Sequence, residues 1–167
     1  MKPEEFEIFI ACVPGLEHEL LSEIKKNNFK QTKLMVGGAS LFGDWRDVWR
    51  ANFYLRGATK VLVRFASFRA THLAQLDRLS HKLSWENLLQ YKKSFRVETV
   101  CRKSKIYHSG AAAERISKAI SDKIDAKEDP NSGIVIKTRI SSDICTISLD
   151  SSGEGLHKRG YKIATGK

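Results

Sequence analysis

Between Phe6 and Val13 apolar residues crowd a short run that stops at the turn signal Pro14-Gly15, and this predicts a strand. The spacing then lengthens. Leu16, Leu20, Leu21 and Ile24 recur on one helical face, with Glu17 and Glu19 in the first turn and Lys25 and Lys26 in the last, signs that complement the helix dipole. Asn27-Asn28 can end this helix. Lys33 to Val36 and Ala39 to Gly43 read as a hairpin about Gly37-Gly38, where missing side chains permit the positive φ of a tight turn. Asp44 reads as the N-cap of a second helix whose apolar stripe is Trp45, Val48, Trp49 and Leu55, so both tryptophans are expected in the core. A strand from Val61 to Phe65 closes the unit. Strand, helix, strand, strand, helix, strand is the order of a ferredoxin-like fold.

From about Ala70 the pattern starts again. Leu73, Leu76, Ser80 and Leu83 mark a helical face with Trp85 beyond it, while Arg78 and Lys82 project together on another face. The run Phe95 to Cys101 alternates as a strand, with Phe95, Val97, Thr99 and Cys101 on one side. It ends in the cationic, turn-like stretch Arg102 to Gly110. A helix from about Ala111 to Ala126 is expected to bury Ala112, Ile116, Ala119, Ile120 and Ile124; its exposed face carries Arg115 and Lys118, the latter spaced to pair with Asp122. After the breaker-rich Glu128 to Gly133, strands Ile134 to Ile140 and Ile144 to Leu149 read as a hairpin through Ser141-Ser142-Asp143.

Charge sharpens this picture. The 167 residues carry a formal net charge of +10 and are 41% hydrophobic, enough for a real core. Residues 1–50 hold 7 Lys+Arg against 8 Asp+Glu, residues 51–100 hold 9 against 3, and residues 101–167 hold 13 against 8. The surplus therefore lies in the second and third parts, an asymmetry that suits a polyanion such as RNA. No segment approaches the ~20 apolar residues of a membrane helix, and the acidic N-terminus does not resemble a secretory signal. The expected location is the cytoplasm. Cys12, Cys101 and Cys145 lie far apart inside apolar runs and are expected to be buried hydrophobes in a reducing compartment.

Self-contained catalysis finds little support. The five histidines show no H-x-x-x-H or H-E-x-x-H spacing, so no metal site is expected. Asp150 and His157 have no serine or cysteine in a nucleophile motif beside them. The Gly153-Glu154-Gly155 that follows a strand has Lys158 where a dinucleotide pattern wants glycine, so no cofactor site is expected either. Two basic loops remain. Arg102, Lys103 and Lys105 offer charge to phosphates, with Tyr107 and His108 as surfaces for an unpaired base. Lys158 and Arg159, beside Tyr161, form the second; its glycines serve equally to fix the path of a connector.

The stretch Leu149-Asp150-Ser151-Ser152-Gly153-Glu154-Gly155-Leu156-His157-Lys158-Arg159-Gly160-Tyr161 resembles the "DLSGESLHKRGYR" signature of bacterial 23S rRNA guanine-N2 methyltransferases, class I enzymes dependent on S-adenosylmethionine that carry a THUMP domain ahead of a Rossmann-like catalytic domain. Phe9 to Glu17, Arg50 to Arg56 and Ser104 to Ala111 are similar to further blocks of that family, in the same order. Ser151-Ser152 stands where Leu-Ser is more usual.

The resemblance implies an α+β protein: a ferredoxin-like domain over residues 1–68, a THUMP domain over 69–155, and a connector over 156–167 towards a methyltransferase domain outside this chain. It implies an RNA-binding targeting module without catalytic residues of its own. Structured RNA would be the partner, rRNA favoured and tRNA also compatible, with S-adenosylmethionine as the cofactor of the parent enzyme only. Arg102, Lys103, Lys105, Tyr107, His108, Lys158 and Arg159 are the candidate RNA contacts. A tRNA-directed module and a basic module docking an acidic protein are the alternatives. Arg50, Asn52 and Arg56 lie in a family block but on a predicted helix, where structural hydrogen bonding accounts for them better than RNA contact.

Overall fold

The computed structural model describes residues 5–89 and 93–158. The chain forms two compact units, one of residues 1–63 with 151–167 and one of residues 64–150. Both combine helices with a sheet, as the α+β reading expects.

The first unit runs β1 (Phe6–Ala11), α1 (Glu17–Lys26), β2 (Lys33–Met35), β3 (Gly38–Gly43), α2 (Trp45–Tyr54) and the start of β4 (Lys60–Arg69). Its strands are ordered β2-β3-β1-β4 and pair antiparallel, with Ile8 opposite Leu41 on one side and Val63 on the other. Central position explains composition. Ile8, Ile10, Leu41 and Val61 are fully buried, together with Leu20 and Ile24 from α1. Gly37 adopts φ +80° and makes the β2–β3 turn. Gly38 is glycine for a different reason: a Cβ there would lie 2.0 Å from the carbonyl oxygen of Ile10.

Asp44 caps α2 as expected, its carboxylate accepting the backbone N–H groups of Arg46 and Asp47 while Asp47 answers from the third helical position. The apolar stripe of α2 differs from the expectation. Val48, Ala51 and Leu55 face the core, whereas Trp45 is 43% and Trp49 66% exposed. Spacing explains the difference. Val48, Ala51 and Leu55 follow i, i+3, i+7 and fall within about 60° of one another around the helix, whereas Trp45 borders that stripe and Trp49 lies about 100° from Val48 on its flank. Trp45 packs edge-on against Phe6 instead, ring centroids 5.3 Å apart.

The second unit contains the rest of β4, α3 (Leu73–His81), a 3-10 turn (Trp85–Asn87), β5 (Arg96–Arg102), α4 (Ser109–Ile124), β6 (Val135–Ser141) and β7 (Ile144–Asp150). β5 and β6 are parallel, which requires a crossover, and α4 supplies it. β6 and β7 are antiparallel and joined by Ser142-Asp143, both at positive φ, the conformation of a two-residue hairpin turn. β4 continues past its expected end at Phe65 because Phe65 and Phe68 pack against the core of this unit. Trp85 is buried there with its indole N–H donating to the Ser80 carbonyl at 2.9 Å. Ala112, Ile116, Ala119, Ile120 and Ile124 line the inner face of α4. Cys145 lies in the same core, where burial pushes its thiol up to about 12. Among the described residues no helix is long and apolar enough to cross a membrane.

Candidate nucleic-acid interface

The first basic loop leaves β5 at Arg102 and ends at the N-terminus of α4. Lys103 adopts φ +46° and turns the chain sharply. The Ser104 hydroxyl donates to the Arg102 carbonyl at 2.9 Å, and accepts the Asp143 backbone N–H at 3.1 Å. Asp143 answers with its carboxylate, which takes the Lys105 N–H at 2.8 Å, and Ser142 N–H donates to the Arg102 carbonyl. The β6–β7 turn thus grips the loop through its backbone and leaves the cations outward. Ile106, the loop's apolar residue, is buried beneath.

Arg102, Lys103 and Lys105 are exposed, and their side chains form no ion pair among the described residues. Tyr107 is 84% exposed. His108 caps α4, its Nδ1 accepting the Ala111 N–H at 3.1 Å, which in the neutral ring leaves the proton on Nε2. The loop therefore sets three cations, without ion pairs among the described residues, and an open aromatic ring at the N-terminus of a 16-residue helix, itself a favourable place for negative charge. Sequence reasoning missed Asp143. The signal was available in Ser142-Asp143 as a hairpin turn, but its partner lies 38 residues away.

The signature stretch is organised otherwise. Ser151 and Ser152 are docked onto the first unit: Ser151 Oγ donates to the Val61 carbonyl and accepts from Asn52 Nδ2, and Ser152 Oγ donates to Asn52 Oδ1 and accepts the Val61 N–H. Lys60 Nζ reaches the Gly153 carbonyl, and Leu156 N–H donates to that of Thr59. Gly153 adopts φ +64°, while a Cβ on Gly155 would lie 2.4 Å from the His157 ring. Lys158 is exposed and lies 3.5 Å from Glu154. Arg159 and Tyr161 lie outside the described residues. The glycines and serines of this motif thus define a path for the chain.

A cofactor cradle does not fit these residues. Gly153-Glu154-Gly155 leads into a three-residue 3-10 turn, Leu156–Lys158, and among the described residues no α-helix N-terminus follows it to receive a phosphate or carboxylate. Arg50 is occupied with Asp47 and the Asn27 carbonyl and stacks 4.5 Å over the Phe29 ring. With Asn52 bound to Ser151 and Ser152, these two residues brace the first unit. Among the described residues no group of three or more His, Cys, Asp or Glu side chains is placed to hold a metal ion.

Comparison with known proteins agrees with this architecture. Residues 7–62 match the family described as the RlmL ferredoxin-like domain, and residues 70–150 match the THUMP domain. The chain is similar to the ribosomal RNA large subunit methyltransferase K/L of Cellvibrio japonicus, 29% identical over 95% of this chain and 22% of that protein. The protein of the same description from Syntrophotalea carbinolica is 31% identical, over 92% of this chain and 23% of its own length. A solved structure from Listeria monocytogenes, described as a predicted N6-adenine-specific DNA methylase, superposes with a TM-score of 0.86 at 29% identity, covering 98% of this chain and 45% of that one. The chain spans less than a quarter of the two curated relatives.

Proposed function

We propose, from the premise that this chain consists of an RlmL ferredoxin-like domain followed by a THUMP domain, that it grips structured RNA and presents it to a methyltransferase domain of a longer protein. The observation that carries this reading is the loop Arg102 to His108. Its backbone is clamped by Asp143 and Ser104, so the path that points its cations and Tyr107 outward is set before binding and little backbone entropy is left to lose. Phosphate contacts from Arg102, Lys103 and Lys105 would supply salt-sensitive affinity, and Tyr107 with the edge of His108 would meet an unpaired base. Lys158 and Arg159 belong to the same proposal as a secondary contact.

The parent activity is the transfer of a methyl group from S-adenosylmethionine to the exocyclic N2 of a guanine in large-subunit rRNA, in the cytoplasm. The name of the methyltransferase K/L relatives supports rRNA over tRNA. S-Adenosylmethionine supplies the methyl group in the catalytic domain. This chain's contribution is positional: binding RNA away from the reacting base raises the effective concentration of the target at the active site.

A salt-resolved titration of the chain against a folded 23S rRNA fragment, a tRNA and an unstructured RNA tests the proposal, with Lys103→Ala/Lys105→Ala in parallel. Tighter binding of the rRNA fragment, weakened in the variant with a salt slope shallower by about 2, is the expected result. Preference for tRNA redirects the proposal to a tRNA-modifying parent. Equal weak binding of all three, unchanged in the variant, overturns it.

A further inference from the structure

We propose that the exposed face of α3 and α4 is a second RNA contact, one that takes the phosphates of a duplex, an inference that rests on the RNA-binding reading above. Sequence spacing pairs Lys118 with Asp122, which would leave only Arg78, Lys82 and Arg115 unpaired on this face. The structure assigns Asp122 elsewhere: its carboxylate meets His81 Nε2 at 3.2 Å across the α3–α4 contact. His81 also engages Asp77, through a 2.9 Å hydrogen bond from Nδ1 to its carbonyl and a carboxylate 3.8 Å away. One histidine thus draws Asp77 and Asp122 to itself.

What remains is cationic. Arg78 and Lys82 on α3 and Arg115 and Lys118 on α4 are exposed, and none of their side chains forms an ion pair or hydrogen bond among the described residues. Glu114 stands one turn before Lys118, exposed and outside ion-pair distance. Arg78 and Lys82 sit at the C-terminal end of their helix, where the dipole favours them. Arg115 and Lys118 sit in the middle of α4, and the dipole gives no reason for them.

The face continues from the basic loop. Ala70, just before α3, donates its N–H to the Asp143 carbonyl, and Lys105, just before α4, donates to the Asp143 carboxylate. Both helices therefore start beside the loop. From Ser109 to Lys118, α4 rises about 14 Å at ~1.5 Å per residue. Cations on two rigid neighbouring helices form a fixed two-dimensional array, which suits the regular phosphates of a duplex better than a flexible acidic peptide that could follow any path.

The test is a salt titration of the 167-residue chain with a blunt RNA duplex that has no unpaired nucleotides, and with polyglutamate as a second polyanion. Arg115→Gln/Lys118→Gln and Arg78→Gln/Lys82→Gln are compared with the wild type and with Lys103→Ala/Lys105→Ala. Each helix-face pair is expected to weaken duplex binding and make its salt slope shallower by about 2. Protection of Lys82 and Lys118 from acetylation by the duplex, read on the unmodified chain, gives the same answer without substitution. Wild-type duplex binding in both helix-face variants with no acetylation protection overturns this inference, and the RNA reading survives if the loop variant alone weakens RNA. Loss of polyglutamate but not of duplex also overturns it, in favour of an acidic protein partner. A wild-type chain that binds no RNA at any salt concentration removes the underlying reading as well.

Discussion

Asp143 accepts the backbone N–H of Lys105 at 2.8 Å, so a residue in the β6–β7 turn fixes a loop 38 residues earlier in the chain. Replacing Asp143 by alanine removes that acceptor and places a less suitable residue at φ +64°. The expected cost is about 1–3 kcal/mol, with faster hydrogen exchange at the Lys105 amide. Asp143→Asn keeps an oxygen and tolerates the left-handed conformation, so most of the stability returns. Equal exchange at Lys105 in wild type and Asp143→Ala contradicts the bracing role.

Asn52 is bound on both sides by Ser151 and Ser152. Asn52→Ala leaves both hydroxyls short of a partner and is expected to cost about 1–2 kcal/mol. The loss should concentrate in residues 151–158, seen as earlier proteolytic cleavage after Asp150 and reduced amide protection there. Unchanged cleavage would show that the path of this segment is set without Asn52.

The two faces of α2 give opposite expectations for neighbouring residues. Val48 is 1% exposed and Val48→Ala should destabilise by about 1–3 kcal/mol through lost packing. Trp49→Ser, at 66% exposure, should change stability by no more than about 0.5 kcal/mol. Urea unfolding of both variants checks the assignment, and a larger cost at Trp49 would return it to the core.

His81 titrates upward from its ordinary 6.5, because the Asp77 carbonyl accepts from Nδ1 and the Asp122 carboxylate pairs with Nε2. A raised folded value means that the protonated ring stabilises the fold. The contribution is complete below pH ~6.5 and disappears as pH rises through the folded value. Its size is small because the ring is partly open to solvent, which screens both carboxylates. His81→Asn should flatten this part of the pH–stability profile. An identical profile in wild type and variant rules out the clamp as its source.

Element order and the buried face of α4 were legible in the chain because they depend on local periodicity: apolar spacing of two or about 3.6 residues, breakers at Pro14-Gly15 and Gly37-Gly38, and an acceptor at Asp44. The α2 tryptophans were not. Large apolar residues near a stripe are expected inside it, and only the direction of the core shows that Val48, Ala51 and Leu55 fill the line while Trp45 and Trp49 remain outside. Residue type announced the basic loop, since consecutive cations with a tyrosine need no partner to be noticed. Its bracing by Asp143 stayed hidden, because a hydrogen bond across 38 residues leaves no period in the sequence.

The same distinction decides Lys118. Spacing offers it Asp122 four residues later, and along an isolated helix that pair is the natural one. Packing α3 beside α4 brings His81 to Asp122 and leaves Lys118 without an ion pair among the described residues. The sequence by itself determined the composition of each face, the order of the elements and the excess of positive charge, all properties that are local or additive. Only the tertiary structure decided which charges neutralise each other and which loop holds which, because those choices depend on distances between segments far apart in the chain.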